Sequence, residues 1–332
     1  MQPTSISWCD YTWNPLRGCS RISEGCRNCY AEKIAARFSR HVMDSDGVGT
    51  YTVEPFHGFA EYRTVGGKRE AHWTGKVELI EDKLLEPLSW RRKAAKFRAK
   101  HGRKPRCFTN SMSDLFHERL LERSIARVFA SMAFAPEIDF LCLTKRADRA
   151  ESILGTGRFH DQIIDEMNAM RYVSERIAGI RWPLPNIWLG VSVEDQKRVD
   201  ERIPHLLRTP AAVRFLSCEP LLEEIDIVAY LECPGLDLCI VGGESGPGAR
   251  PFDISWARFL RDQCEATGKA FFLKQLGSKP FEERVQYGVG PWGPAKEGIV
   301  SDWPKLKDRS GADPSEWPED LRIQQMPEVP HG

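Results

Sequence analysis

Several features are missing from this chain of 332 residues, and each absence narrows what it can be. No apolar run approaches the roughly 20 residues that cross a bilayer. The opening "MQPTSISWCDYTWN" has no basic region leading into an apolar core. Neither a membrane partner nor a secretory signal is expected, and the chain reads as cytoplasmic. Net charge is missing too: 47 Lys and Arg face 47 Asp and Glu, so no whole-molecule field draws it to nucleic acid or lipid. The glycine-rich "VGGESGPGAR" lacks the Gly-Lys-Ser/Thr ending of a P-loop and the G-x-G-x-x-G spacing of a dinucleotide fingerprint. Both kinds of phosphate cradle are set aside. No internal repeat is visible.

What is present is an ordinary globular composition, 41% hydrophobic and 28% charged. It is enough for one large α/β domain or two smaller ones. Short apolar runs alternate with amphipathic stretches: "SISWC", "KVELI", "RCFTN", "DFLCLT", "NIWLGVSV", "VRFLSC", "DLCIVGG" and "AFFLKQ". Being apolar on both faces, they suit a parallel sheet covered on both sides. Ile125, Val128, Phe129 and Met132 follow helical spacing, as do Trp256, Phe259, Leu260 and Cys264, with Gly268 as a natural stop. "NCYAEKIAARFSR" reads as a helix with Ile34 and Phe38 four apart. Alternating units of this kind predict an α/β fold: a partial or closed (β/α) TIM-type barrel of six to eight parallel strands over 1–279. Residues 41–76 break the rhythm and read as an insertion or long loop. Residues 280–332, rich in Pro, Gly and Trp, read as an irregular extension packed on the barrel through its tryptophans.

Active sites in such barrels form at the carboxyl ends of the strands. There "CFTN" runs into Asn110, Ser111, Ser113, Asp114 and His117, and "FLCL" into Thr144, Lys145 and Arg146. "WLGV" leads to Ser192 and Glu194, "RFLS" to Glu219, and "CIV" to Gly242, Gly243 and Glu244. A helix cap explains any one of these. It does not explain polar groups at the same end of at least five strands, which predict a ligand-lined mouth. The paired glycines let a ligand approach the backbone, leaving Glu244 to accept from an amine or hydroxyl.

Of ten cysteines, Cys9, Cys19, Cys26 and Cys29 fall within twenty-one residues. Cys107, Cys142, Cys218, Cys233, Cys239 and Cys264 are scattered in mostly apolar contexts and read as core thiols, because stable disulfides are rare in the cytosol. The last three of the N-terminal group read C-x6-C-x2-C. A zinc site wants four ligands in two close pairs. Nine residues separate Cys9 from Cys19, so the second pair exists only if the loop folds back. Three thiolates on a [4Fe–4S] cluster leave one iron open, which suits Cys19, Cys26 and Cys29 on a loop after the first strand. Buried thiols that cluster without a ligand are the third reading. Cys9 is placed within the first strand, as a wall residue.

The same loop resembles the radical S-adenosylmethionine superfamily, with three cysteines after the first strand of a (β/α) barrel and Tyr30 next to the last. More closely, "TWNPLRGCSRISEGCRNCYAE", "NSMSDLFH", "TKR", "GVSVED", "SCEPLL", "VGGESGPGARP" and "FFLKQLG" resemble a phage-associated three-Cys-motif family of unknown function, across nearly the whole chain. A looser likeness runs to the photoproduct-lyase-like branch of the superfamily. The resemblance implies that Cys19, Cys26 and Cys29 hold a [4Fe–4S] cluster, with S-adenosylmethionine as second cofactor and an external electron donor. The cofactor contacts are expected among the polar strand-end residues and the cysteine loop's neighbour: Tyr30, Asn110, Ser111, Ser113, Asp114, Thr144, Lys145, Ser192, Glu194, Glu219, Gly242, Gly243 and Glu244. Two departures stand out. The superfamily's first cysteine gap is three residues, against six here, and its Gly-Gly-Glu follows an early strand, against a late one here.

One segment breaks the charge balance. "RRKAAKFRAKHGRKPR" holds nine Lys or Arg and no acid: Arg91, Arg92, Lys93, Lys96, Arg98, Lys100, Arg103, Lys104 and Arg106. A solvated helix face is the default for such a run. Unopposed positive charge of this density also suits a phosphate backbone, so a nucleic acid or nucleotide substrate is expected, with a peptide or small metabolite as the alternative. The leading expectation is a radical S-adenosylmethionine enzyme that modifies or repairs nucleic acid. A non-catalytic iron–sulfur or zinc module that binds nucleic acid or a partner protein is the alternative. A divalent-metal hydrolase using Asp114, His117 and Glu219 is the second.

Overall fold

A computed structural model describes residues 2–39, 41–43, 51–53, 55–170, 180–287, 297–302 and 305–328. The chain divides into two compact units, 1–191 with 202–214, and 192–201 with 215–332. Both are mixed α/β, each built on a set of parallel strands with antiparallel pairs added.

The first unit is built on the strands Tyr11–Trp13, Arg106–Thr109, Asp139–Thr144 and Ile187–Ser192, which pair in parallel in that order. The short strand Gln2–Pro3 runs antiparallel on the outer edge. Helices lie between successive parallel strands, since parallel neighbours need a crossover connection. In the helix Glu122–Ala133 the positions Ile125, Val128, Phe129 and Met132 are all buried, as their spacing predicts. Trp13 is buried with its ring against Trp90 and Phe140, and its indole N–H donates to the Lys83 carbonyl at 3.0 Å.

The first strand is displaced from its expected place. Residues 5–9 form no strand, and Tyr11–Trp13 takes that role. Cys9 therefore lies in the turn before the strand, still buried. "KVELI" contributes only Glu78–Leu79, antiparallel to Leu16–Arg17, so it is no member of the parallel set. The segment 41–76 is no bare loop either. It contains the antiparallel pair His41–Met43 and Tyr51–Val53, and the hairpin Ala60–Val65 with Lys68–Trp73.

In the second unit Val213–Cys218, Leu238–Gly242 and Ala270–Gln275 pair in parallel. The helix Ile254–Ala266 is capped by the Asp253 carboxylate, which accepts from the Ser255 N–H at 2.9 Å, and stops before Gly268 at φ +66°. Leu260 and Cys264 face inward, whereas Phe259 is 37% exposed. The last described segment covers the outer edge of this sheet, with Leu273 N–H donating to the Ile323 carbonyl and Gln325 N–H to Phe271. Trp317 is buried, its indole N–H donating to the Gly311 carbonyl at 2.8 Å. Trp292 and Trp303, the other tryptophans expected to anchor the extension, lie outside the described residues. Five of the six scattered cysteines are buried. Cys233 is exposed, because it follows the short surface helix Val228–Leu231. No described helix is long and apolar enough to cross a membrane.

Candidate metal centre

The cysteine loop leaves the carboxyl end of Tyr11–Trp13 and is held at three points. The first is Gly18, whose φ is +88° and where a Cβ would lie 1.9 Å from the Lys76 carbonyl oxygen. Only glycine fits the residue before Cys19. The second is Glu32, on the helix Tyr30–Arg37 that Cys29 caps. Its carboxylate is buried and accepts from Arg21 Nε at 2.9 and 3.0 Å, from Arg21 Nη2 at 2.6 Å and from Trp73 N–H at 2.7 Å. That clasp ties loop, helix and hairpin together. The helix buries its small face, Ala31, Ala35 and Ala36, against Phe59, Ala60, Ala71 and Trp73. Ile34 and Phe38, whose spacing marks the helix, are about 40% exposed. The hairpin approaches too closely for large side chains between it and the helix.

The third anchor is a buried network from the next two strand ends. Asp114 accepts from Thr144 Oγ1 at 2.7 Å, Phe116 N–H at 2.9 Å, Lys145 N–H at 3.2 Å and Arg146 Nη1 at 3.0 Å. Arg146 also donates through Nε to Glu118 Oε2 at 2.8 Å and through Nη2 to Ser20 Oγ at 2.8 Å. The Ser20 hydroxyl lies 2.9 Å from His117 Nε2, and Arg119 N–H donates to His117 Nδ1 at 3.2 Å. The proton of that imidazole is thereby assigned to Nε2. Burial first, then the Arg146 charge, pushes the His117 pKa down to about 4. Glu118 is held down at about 2: burial opposes the shift, and hydrogen bonds and the Arg146 charge outweigh it.

Cys19 feels the charge of Cys26 and Cys29, and Cys29 that of Cys26. Burial pushes Cys19 up to about 12, reinforced by Asp114 and the other two thiols and opposed by Arg146. Cys29 is raised too, again mainly by burial. Cys19 and Cys29 pack against the apolar cluster around Ala35 and Phe59. All ten cysteines are free thiols. Among the described residues no group of three or more His, Cys, Asp or Glu side chains is gathered to hold a metal ion. A zinc ion would need its thiolates about 2.3 Å from one point, and Cys9 sits in the turn ahead of the strand, before the loop begins.

The early-strand polar residues come together. Tyr30 Oη donates to the Ser111 carbonyl at 2.7 Å, and Asn14 bridges Ser111 Oγ and Met112 N–H. Ser113 bridges to Gly18. Asn110 has φ +71°, is buried, and neither atom of its carboxamide has a hydrogen-bond partner. In the second unit Ser192 and Glu194 are buried. Glu219 is paired with Lys274, and Glu244 with Arg250 at 2.8 Å, so Glu244 does not stand open as expected. The Gly243 backbone is closed off by this chain: a Cβ there would lie 2.3 Å from the Leu276 carbonyl oxygen and 2.9 Å from Phe252 Cβ. Packing, rather than room for a ligand, requires that glycine.

The basic run forms the helix Arg91–His101 and the turn after it. Four of its nine cations are engaged. Arg91 pairs with Glu137, Arg103 with Asp10 at 2.7 and 2.9 Å, and Lys104 with Asp139, while Arg106 lies over Trp188. Arg92, Lys93, Lys96, Arg98 and Lys100 are exposed. Sequence reasoning passed over Arg21, Glu32, Ser20 and Glu118. A carboxylate inside "NCYAEK" and an arginine in the cysteine loop were the only available signal.

Fold and site together define a mixed α/β protein with a three-thiol loop at the carboxyl end of its first parallel strand. A family model described as protein of unknown function (DUF5131) matches residues 3–304, and the chain belongs to that family. No curated protein and no solved structure matches it.

Proposed function

We propose that this protein is a radical S-adenosylmethionine enzyme on a (β/α) barrel, and that Cys19, Cys26 and Cys29 hold a [4Fe–4S] cluster. The observation that carries the reading is the donor set itself. Three free thiols stand on one loop at the strand end where such barrels work, and two of them, Cys19 and Cys29, pack against apolar side chains. The thiols are soft ligands that fit iron–sulfur. Thiols bind metal as thiolates, so loading releases protons and is favoured by rising pH. The likeness of the sequence to a phage-associated three-Cys-motif family and to the photoproduct-lyase-like branch points the same way, as analogy.

A bound cluster would supply the reducing electron for cleavage of S-adenosylmethionine. This chain's residues do the rest. Gly18, the Glu32 clasp and Ser20 fix the loop, and the apolar wall keeps water away. Asn110, Ser111 and Tyr30 line the neighbouring strand end. The exposed basic stripe suits a nucleic acid substrate, and an external reductant provides the electron. Anaerobically reconstituted protein with a strong reductant should convert S-adenosylmethionine to 5′-deoxyadenosine. Iron-loaded protein that leaves S-adenosylmethionine intact would reduce the reading to a non-catalytic cluster module.

A further inference from the structure

We propose that Arg146 is a positioning residue for the cluster: its buried guanidinium clamps the backbone at Cys19 and raises the reduction potential of the group held there. The inference rests on the cluster reading and adds to it a residue outside the cysteine loop.

Arg146 follows the strand Asp139–Thr144 and reaches across to the loop. Its Nη2 donates to Ser20 Oγ at 2.8 Å and approaches the Ser20 carbonyl at 3.4 Å. The Cys19 thiol lies 3.6 Å from that same carbonyl. Guanidinium and thiol therefore share one peptide group. The guanidinium is itself positioned, by Asp114 at 3.0 Å and Glu118 at 2.8 Å, and its side chain is only 7% exposed. Burial works against the charge, but Asp114, Cys19 and Glu118 outweigh it and keep the group firmly protonated. In this low-dielectric interior the guanidinium offsets the Asp114 and Glu118 carboxylates beside it, of which Asp114 acts on Cys19 more strongly than Arg146 itself. It favours added negative charge, and reduction of a cluster adds one electron. Outer groups that orient a ligand also govern how tightly the metal is held.

The two effects separate in three variants, each reconstituted anaerobically beside the unaltered protein. Iron per chain, release of iron to a chelator and midpoint potential are then read. Ser20→Ala removes the clamp's hydroxyl and leaves the charge. It should release iron on the order of tenfold faster, with an unchanged potential. Arg146→Lys keeps the charge and loses the fork, so its potential should stay near that of the unaltered protein while iron leaves faster. Arg146→Gln should move the potential to more negative values. If Arg146→Gln retains iron at an unshifted potential, the electrostatic role is refuted while the cluster reading stands. Should Arg146→Gln fail to fold, release rates decide: Ser20→Ala and Arg146→Lys holding iron as long as the unaltered protein would overturn the clamp. An unaltered protein that takes up no iron overturns the cluster reading, and this inference with it.

Discussion

His117 makes the metal-free protein sensitive to acid in a defined window. Its side chain is fully buried, its Nδ1 accepts from Arg119 N–H, and its Nε2 side faces Ser20 Oγ. Protonation would place a second positive charge beside Arg146, with Glu118 and Asp114 in partial compensation. The folded pKa of about 4 lies below the ordinary 6.5, so the unfolded chain binds the proton more tightly. Stability from this group is complete above pH 6.5 and is lost as pH falls towards 4. At about 1.4 kcal/mol for each tenfold change in proton affinity, the loss is roughly 3 kcal/mol. Glu118 and Glu151, both held at about 2, contribute stability that fades only below about pH 4.5, where the unfolded carboxylates begin to protonate. The interval between pH 6.5 and 4.5 therefore isolates the histidine. Urea unfolding of metal-free, reduced protein across that interval should show a steep fall for the unaltered chain. The fall should be absent in His117→Gln, whose amide can still donate to Ser20. Parallel curves for the two proteins would refute the argument.

Glu32→Gln leaves Arg21 and the Trp73 N–H without their charged partner and should cost about 3 kcal/mol. Its effect is read as a lower urea midpoint together with faster proteolysis of the hairpin 60–73. Replacing Arg92, Lys93, Lys96 and Lys100 together by Gln should weaken nucleic-acid binding. It should also flatten the dependence of log K on log salt by up to about four. An unchanged slope in a binding titration would return the stripe to the role of a solvated face.

Much of this architecture is legible in the chain. The apolar runs after residue 105 mark six parallel strands close to their observed ends, because strands buried on both faces leave uninterrupted hydrophobic segments. The helix Glu122–Ala133 follows from its spacing alone. The first strand is not legible in the same way. "SISWC" alternates as a strand would, yet Tyr11–Trp13 has the ladder partner, Cys107–Thr109, and pairing decides the matter. The hairpin Ala60–Val65 with Lys68–Trp73 is largely exposed and of mixed polarity, and Glu32 holds it through a contact spanning 41 residues. The same reason hid the inner face of the helix Tyr30–Arg37. Alanines pack inward because the hairpin is near, and nothing local says so. At the site, residue types were readable but partnerships were not. Asp114 and Glu244 looked available as ligand contacts, while in the folded chain Arg146 and Arg250 claim them.

The claim on which the rest depends is that Cys19, Cys26 and Cys29 together hold one iron–sulfur cluster. Iron and sulfide counted per chain after anaerobic reconstitution test it directly, for the unaltered protein and for single Cys→Ser variants at 9, 19, 26 and 29. The account predicts about four irons and as many sulfides, retained in the position 9 variant and lost in the other three. A colourless protein carrying one zinc, or iron that depends on Cys9 as strongly as on Cys26, would contradict it.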